Sequence, residues 1–180
     1  NKEYKKSIIL YSNLLSAINE NHNLYPKVLD RRGMAYERSD EWELAEKDLL
    51  LSLKLSPDEP YVMNYLAYSW IEKEKNINKA IKMLRKANKL KKNDGYITDS
   101  LGWALYKLKN YLQAKKYLRL AITLMPTDPV VNDHFADCLW MNGQKIQARY
   151  YWEYVLNLKS TEKDLKDKVK EKLLFGLEKI

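Results

Sequence analysis

The chain has 180 residues, of which 46% are hydrophobic and 31% charged, with a formal net charge of +8. That apolar content excludes a wholly disordered segment, and no run approaches the roughly 18 consecutive apolar residues of a membrane-spanning helix. The single cysteine, Cys138, forms no internal disulfide and so indicates no redox compartment. Five Gly and five Pro, with no dense Val/Ile/Thr alternation, favour helices over strands.

In chain order, Tyr4, Ile8, Tyr11, Leu15 and Ile18 form a helical stripe within residues 1–25. It reads as the second helix of an incomplete upstream repeat followed by a loop, with the expectation that more chain precedes it. The sequence then becomes periodic. Small residues stand at Gly33, Ala67, Gly102 and Ala136, separated by 34, 35 and 34 positions. A second set, Ala45, Ala80, Ala114 and Ala148, is separated by 35, 34 and 34, so one extra residue lies within 72–78.

Apolar residues follow the first set by three positions (Tyr36, Trp70, Leu105, Leu139) and the second by four (Leu49, Leu84, Leu118, Trp152). Such spacing marks one face of each of two helices, and the small residues mark where the two approach. The repeat units are 26–59, 60–94, 95–128 and 129–162. Pro57 and Pro126 stop helices, Asn142-Gly143 supplies a turn, and Asp94-Gly95 separates the second unit from the third. Leu165, Val169, Leu173 and Leu177 then stripe a polar helix in 163–180, which reads as a cap over the last apolar face.

These positions resemble the tetratricopeptide repeat (TPR), with a small eighth residue, Ala at the twentieth place and Pro at the thirty-second. The departures are Arg32 for the usual Leu, Ser52 for Ala, and Lys92 and Ser160 for Pro. The resemblance implies an all-α, right-handed α-solenoid with first helices lining a concave groove and second helices forming the convex back. By that sorting the groove carries Asp30, Tyr61, Asn64, Tyr65, Tyr68, Tyr96, Asp99, Trp103, Tyr106, Asp133, His134, Asp137 and Trp140. Asp30, Asn64, Asp99 and Asp133 occupy the fifth place of successive units and form a polar ladder suited to an extended or helical peptide, favouring basic segments. Flanking Tyr and Trp suit protein contact. Many cations (Lys47, Lys54, Lys79, Lys82, Arg85, Lys86, Lys89, Lys115, Lys116, Arg119) fall on the convex side, where they keep the array soluble. Nucleic-acid binding through that face is an alternative, as is self-assembly into a homo-oligomer.

Two histidines and one cysteine are few for catalysis, and no Gly-rich phosphate loop or nucleophile elbow is present. His134 and Asp137, three residues apart, form a pair that orients an imidazole or weakly holds a metal, too few ligands for a zinc site. The expectation is a non-enzymatic scaffold with no cofactor, metal or small-molecule substrate. Lys, Asn and Arg for a two-carboxylate clamp on chaperone tails are missing, since Asp30, Met34, Tyr65, Tyr96 and Ser100 stand at those places.

The segments 56–70 (SPDEPYVMNYLAYSW), 95–104 (GYITDSLGWA), 131–140 (VNDHFADCLW) and 148–152 (ARYYW) resemble TPR proteins of proteobacteria, many of them predicted outer-membrane lipoproteins. That resemblance implies a bacterial, periplasmic scaffold tethered by an N-terminal lipid outside this chain, serving as an adaptor for a periplasmic protease. A cytoplasmic location is the alternative.

Overall fold

The computed structural model describes residues 2–177, and the described residues form ten α-helices. α1 (Lys2–Ala17) precedes four pairs: α2 (Tyr25–Glu37) with α3 (Trp42–Leu55), α4 (Pro60–Glu72) with α5 (Ile77–Leu90), α6 (Gly95–Lys107) with α7 (Tyr111–Leu124), and α8 (Pro129–Met141) with α9 (Lys145–Asn157). α10 (Lys163–Phe175) closes the array against α9. Each pair packs on its neighbours, giving an all-α solenoid.

Local chemistry sets the helix starts. Pro26, Pro60 and Pro129 sit in first turns, where a missing N–H costs nothing. The Asp94 carboxylate accepts from Ile97 N at 3.1 Å, the Asp128 carboxylate from Val130 N and Val131 N at 3.0 Å, and the Asn110 side chain from Gln113 N at 3.3 Å. Asp94-Gly95 thus stands at the junction between the second unit and the third, with Asp94 capping α6 and Gly95 opening it. The left-handed residue near this junction is Asn93, at φ 60°.

The turn inside each pair is the same device four times. Asp40, Glu74, Lys109 and Gly143 have φ of 64°, 53°, 60° and 78°. The next amide donates back across the turn: Glu41 N to Tyr36 O, Lys75 N to Trp70 O, Asn110 N to Leu105 O and Gln144 N to Leu139 O, at 2.8–2.9 Å. The extra residue of the second unit is absorbed by Asn76, a second left-handed position at φ 50°.

The core follows the repeat. Ala45, Ala80, Ala114 and Ala148 are fully buried, as are Ala67 and Ala136. At Gly102 an added Cβ would lie 2.7 Å from Leu118 Cγ, so the two helices touch backbone to side chain there. Two of the departures from the repeat consensus, Ser52 and Arg32, are locally answered. Ser52 Oγ donates to Pro26 O at 2.8 Å, and Arg32 grips the buried Asp48 with two bonds of 2.6 and 2.9 Å. The apolar stripes of the terminal helices differ in depth. On α1 only Leu15 is buried, while on α10 Val169 is fully buried and Leu165 and Leu173 pack beside it, joined by Leu177 beyond the helix end.

Candidate functional site

The first helices of the pairs, α2, α4, α6 and α8, together wall a cavity of about 500 Å³. It brings together five residues of the sequence-derived groove, Asn64, Tyr65, Tyr68, Tyr96 and Asp99, with Glu37, Arg38, Ser69, Ser100, Asp128, Val130 and Val131. Helical spacing explains the set. Asn64, Tyr65, Tyr68 and Ser69 recur at one face of α4, and Tyr96, Asp99 and Ser100 at the matching face of α6.

The other groove candidates lie elsewhere. Tyr61 is half exposed, its hydroxyl donating to Asp94 at 3.1 Å beneath Lys91. Asp30 is buried on α2, its carboxyl raised by burial, lowered by Arg31 and raised again by Glu59. Trp103, Asp133, His134, Asp137 and Trp140 are buried. They are engaged with neighbouring helices, and Tyr106, partly buried, stacks on Trp103 at 4.6 Å.

Those engagements share a pattern. A donor on each later helix reaches a carboxylate on the helix before it in the array. Tyr65 OH donates to Glu37 at 2.8 Å, Trp103 Nε1 to Glu72 at 2.7 Å, and His134 Nδ1 meets Asp99 Oδ2 at 2.9 Å. On α10, Lys172 Nζ lies 2.7 and 2.8 Å from the two oxygens of Asp133 and 2.9 Å from both of Asp137. Asp137 Oδ1 also accepts from Trp152 Nε1 at 2.9 Å. The fourth rung of the ladder is thus closed by the chain's own cap. The His134–Asp137 pairing read from the three-residue spacing is not formed either: the imidazole turns to Asp99 of the preceding unit and stacks on Trp103, 4.0 Å between centroids.

The three open rungs differ from the closed one. Asp30 Oδ1, Asn64 Oδ1 and Asp99 Oδ1 are buried with no hydrogen-bond partner. A buried acceptor left unpaired costs about 1–3 kcal/mol, and at Asn64 and Asp99, which line the cavity, a ligand's donor would relieve that cost once neighbouring side chains shift to uncover the shielded oxygen.

Sequence reasoning passes over Lys172, Glu37, Arg38 and Glu72. Lys172 carries a signal, since it adjoins Leu173 and stands three residues after Val169 on the apolar stripe. Glu37 and Glu72 are the twelfth and thirteenth places of their units, groove positions where the charge itself is the signal.

Burial pushes the Cys138 thiol up to about 12, which leaves it un-ionised and unreactive. Among the described residues no group of three or more His, Cys, Asp or Glu side chains is placed to hold a metal, and no helix is long and apolar enough to cross a membrane. The convex cations are mostly exposed; Lys86 pairs with Asp58 at 2.8 Å and Lys115 donates to Gln144 at 3.0 Å.

A family profile described as tetratricopeptide repeat matches residues 100–128. The TPR repeat-containing protein PA4667 of Pseudomonas aeruginosa is 32% identical over 94 residues, which make up 51% of this chain and 16% of that protein. Among solved structures, TTC0263, a thermophilic TPR protein of Thermus thermophilus, superposes with a TM-score of 0.76 at 15% identity, covering 95% of this chain and 91% of its own. A tetratricopeptide repeat protein of Parabacteroides merdae superposes equally well, 0.76 at 20% identity, over 94% of this chain and 66% of its own. At these identities the structural likeness speaks for the fold.

Proposed function

This chain is a tetratricopeptide-repeat protein, and from that premise we propose that it holds a segment of a partner protein along the groove walled by α4 and α6. TPR proteins generally mediate protein–protein contacts and are typically non-catalytic scaffolds. The observation that carries the reading is the pair of unpaired buried acceptors, Asn64 and Asp99, in a cavity lined with tyrosines. Main-chain N–H groups or side-chain donors of an inserted segment would satisfy the acceptors, while Tyr65, Tyr68 and Tyr96 add large contact area at small entropic cost.

The test places a photo-crosslinking amino acid at Tyr96, which is 60% exposed, and separately at Lys82 on the convex side. Capture of a protein at position 96 but not at 82 supports the groove. Equal capture at both sites refutes it. Replacing Tyr65 or Trp103 is a poor test, because each also ties neighbouring helices together through Glu37 or Glu72.

The finer role, an adaptor for a periplasmic protease on a scaffold tethered to the outer membrane, rests on the sequence resemblance. Fractionation of the source cell, and the presence or absence of a protease among the captured proteins, decides it.

A further inference from the structure

The fifth place of each repeat holds a polar side chain, and the four are satisfied unequally. In the fourth unit both oxygens of Asp133 sit on the Lys172 ammonium. In the third, Asp99 is only 5% exposed, its Oδ2 is taken by His134, and its Oδ1 has no partner. In the second, Asn64 Oδ1 is likewise unpartnered. Both Asp99 and Asn64 line the one cavity. The chain therefore answers its last rung with a primary ammonium delivered from a packed helix, and leaves the same question open one repeat earlier.

Resting on the groove reading above, we propose that this cavity is a cation subsite that takes a lysine or arginine side chain of the partner segment onto Asp99, with Asn64 as a second acceptor.

Charge, ring chemistry and pre-organisation agree. The cavity wall holds three carboxylates, Glu37, Asp99 and Asp128, against one guanidinium, Arg38, in a chain whose net charge is +8. The His134 imidazole on Asp99 offsets part of this negative charge, and the wall that remains is modestly acidic in a positively charged molecule, which favours a basic segment over an acidic one. Tyr65, Tyr68 and Tyr96 present rings to the same space, and ring faces attract cations. His134 fixes the Asp99 carboxylate from behind, so no ordering cost falls on it when a ligand arrives. An apolar side chain would leave Oδ1 unpaired, and a carboxylate would face Asp99 directly.

The experiment pans a phage-displayed library of random 12-residue peptides on the intact chain, then repeats it on Asp99→Asn, which keeps an acceptor for His134, and on the Tyr68→Ala, Tyr96→Ala double variant. Enrichment of Lys or Arg at one fixed position is expected on the native chain. Replacing that residue by norleucine should weaken binding about tenfold or more, the size of a charge-assisted hydrogen bond, and Asp99→Asn should lose the preference. Peptides that fail on the double variant but bind equally with norleucine overturn the cation subsite and leave the groove reading standing. If no peptide is enriched, or the peptides bind the double variant undiminished, both fall.

Discussion

The imidazole of His134 and the carboxylate of Asp99 lie 2.9 Å apart, Nδ1 to Oδ2, and come from successive repeats. Both side chains are buried, and the indole of Trp103 covers the imidazole. The contact is one of a series in which a tyrosine, a tryptophan, a histidine and a lysine each reach back to a carboxylate. The groove wall is thus a set of inter-repeat hydrogen bonds with an opening between Asn64 and Asp99.

The sign of the pH dependence follows from that contact. Burial alone would lower His134, but Asp99 beside it, with Asp133 and Asp137 nearby, carries its pKa above the ordinary imidazole value. A group raised on folding contributes stability that is complete below its unfolded pKa, about 6.5, and is lost as pH rises through the folded one. The gap in Tm between the native chain and His134→Gln should therefore shrink as pH rises from about 6 to about 9. Thermal unfolding followed by circular dichroism checks this, and a gap that holds steady or widens over that range rules the assignment out.

Lys172 gives a prediction of a different kind. Its ammonium is shared by two buried carboxylates, and Asp137, crowded by burial and by Asp133, is pushed up to about 6 even with Lys172 beside it. Lys172→Met leaves both carboxylates without a countercharge and should cost about 3–5 kcal/mol. Adding Asp133→Asn and Asp137→Asn removes the uncompensated charge, and the new amide oxygen at position 137 would still accept from Trp152, so much of the loss should return. Urea midpoints of the single and triple variants decide it; a single variant as stable as the native chain would show that the bridge is not formed.

The repeat positions are legible in the sequence because packing dictates them: Ala45, Ala80, Ala114 and Ala148 stand where any larger side chain would separate the helices. Asn76 as the site of the extra residue is legible only to within a turn, since a left-handed Asn looks like any loop Asn. The groove is harder to read. Position within a repeat says which face a side chain leaves from, but not whether a neighbour has already taken it. His134, Asp133 and Asp137 therefore read as open from sequence, although the donors and acceptors that close them lie 35 to 39 residues away. Lys172 is marked only by its place on the apolar stripe, since it is otherwise one lysine among several on a solvated helix.

Arg32 and Asp48 test how a departure from the repeat is accommodated. The guanidinium donates twice to a carboxylate that is 5% exposed, and a third bond runs from Arg32 to Ser12 on α1 at 3.1 Å. Arg32→Leu restores the residue usual at that place but strands Asp48, at a cost of about 3–5 kcal/mol. With Asp48→Leu added, the pair becomes an apolar contact, and stability should come back to within about 1 kcal/mol of native. A double-mutant cycle in urea measures this, and additive losses would contradict it.

The intra-repeat turn supplies its own control, because one backbone conformation is filled by four different residues. Lys109, at φ 60°, carries a Cβ in a region that disfavours it, whereas Gly143, at φ 78°, has none and nothing within 4 Å of where one would stand. Lys109→Gly relieves a left-handed strain of about 1–2 kcal/mol but frees the unfolded chain, leaving a net gain of about 0.5 kcal/mol or slightly more. Gly143→Ala meets no steric neighbour and so isolates the backbone term, with an expected loss of about 1 kcal/mol. Opposite shifts in the urea midpoint would show that the turn geometry, repeated through Asp40, Glu74, Lys109 and Gly143, sets the local stability. A loss at both positions would mean that the lysine side chain stabilises the turn by contacts that outweigh its backbone strain.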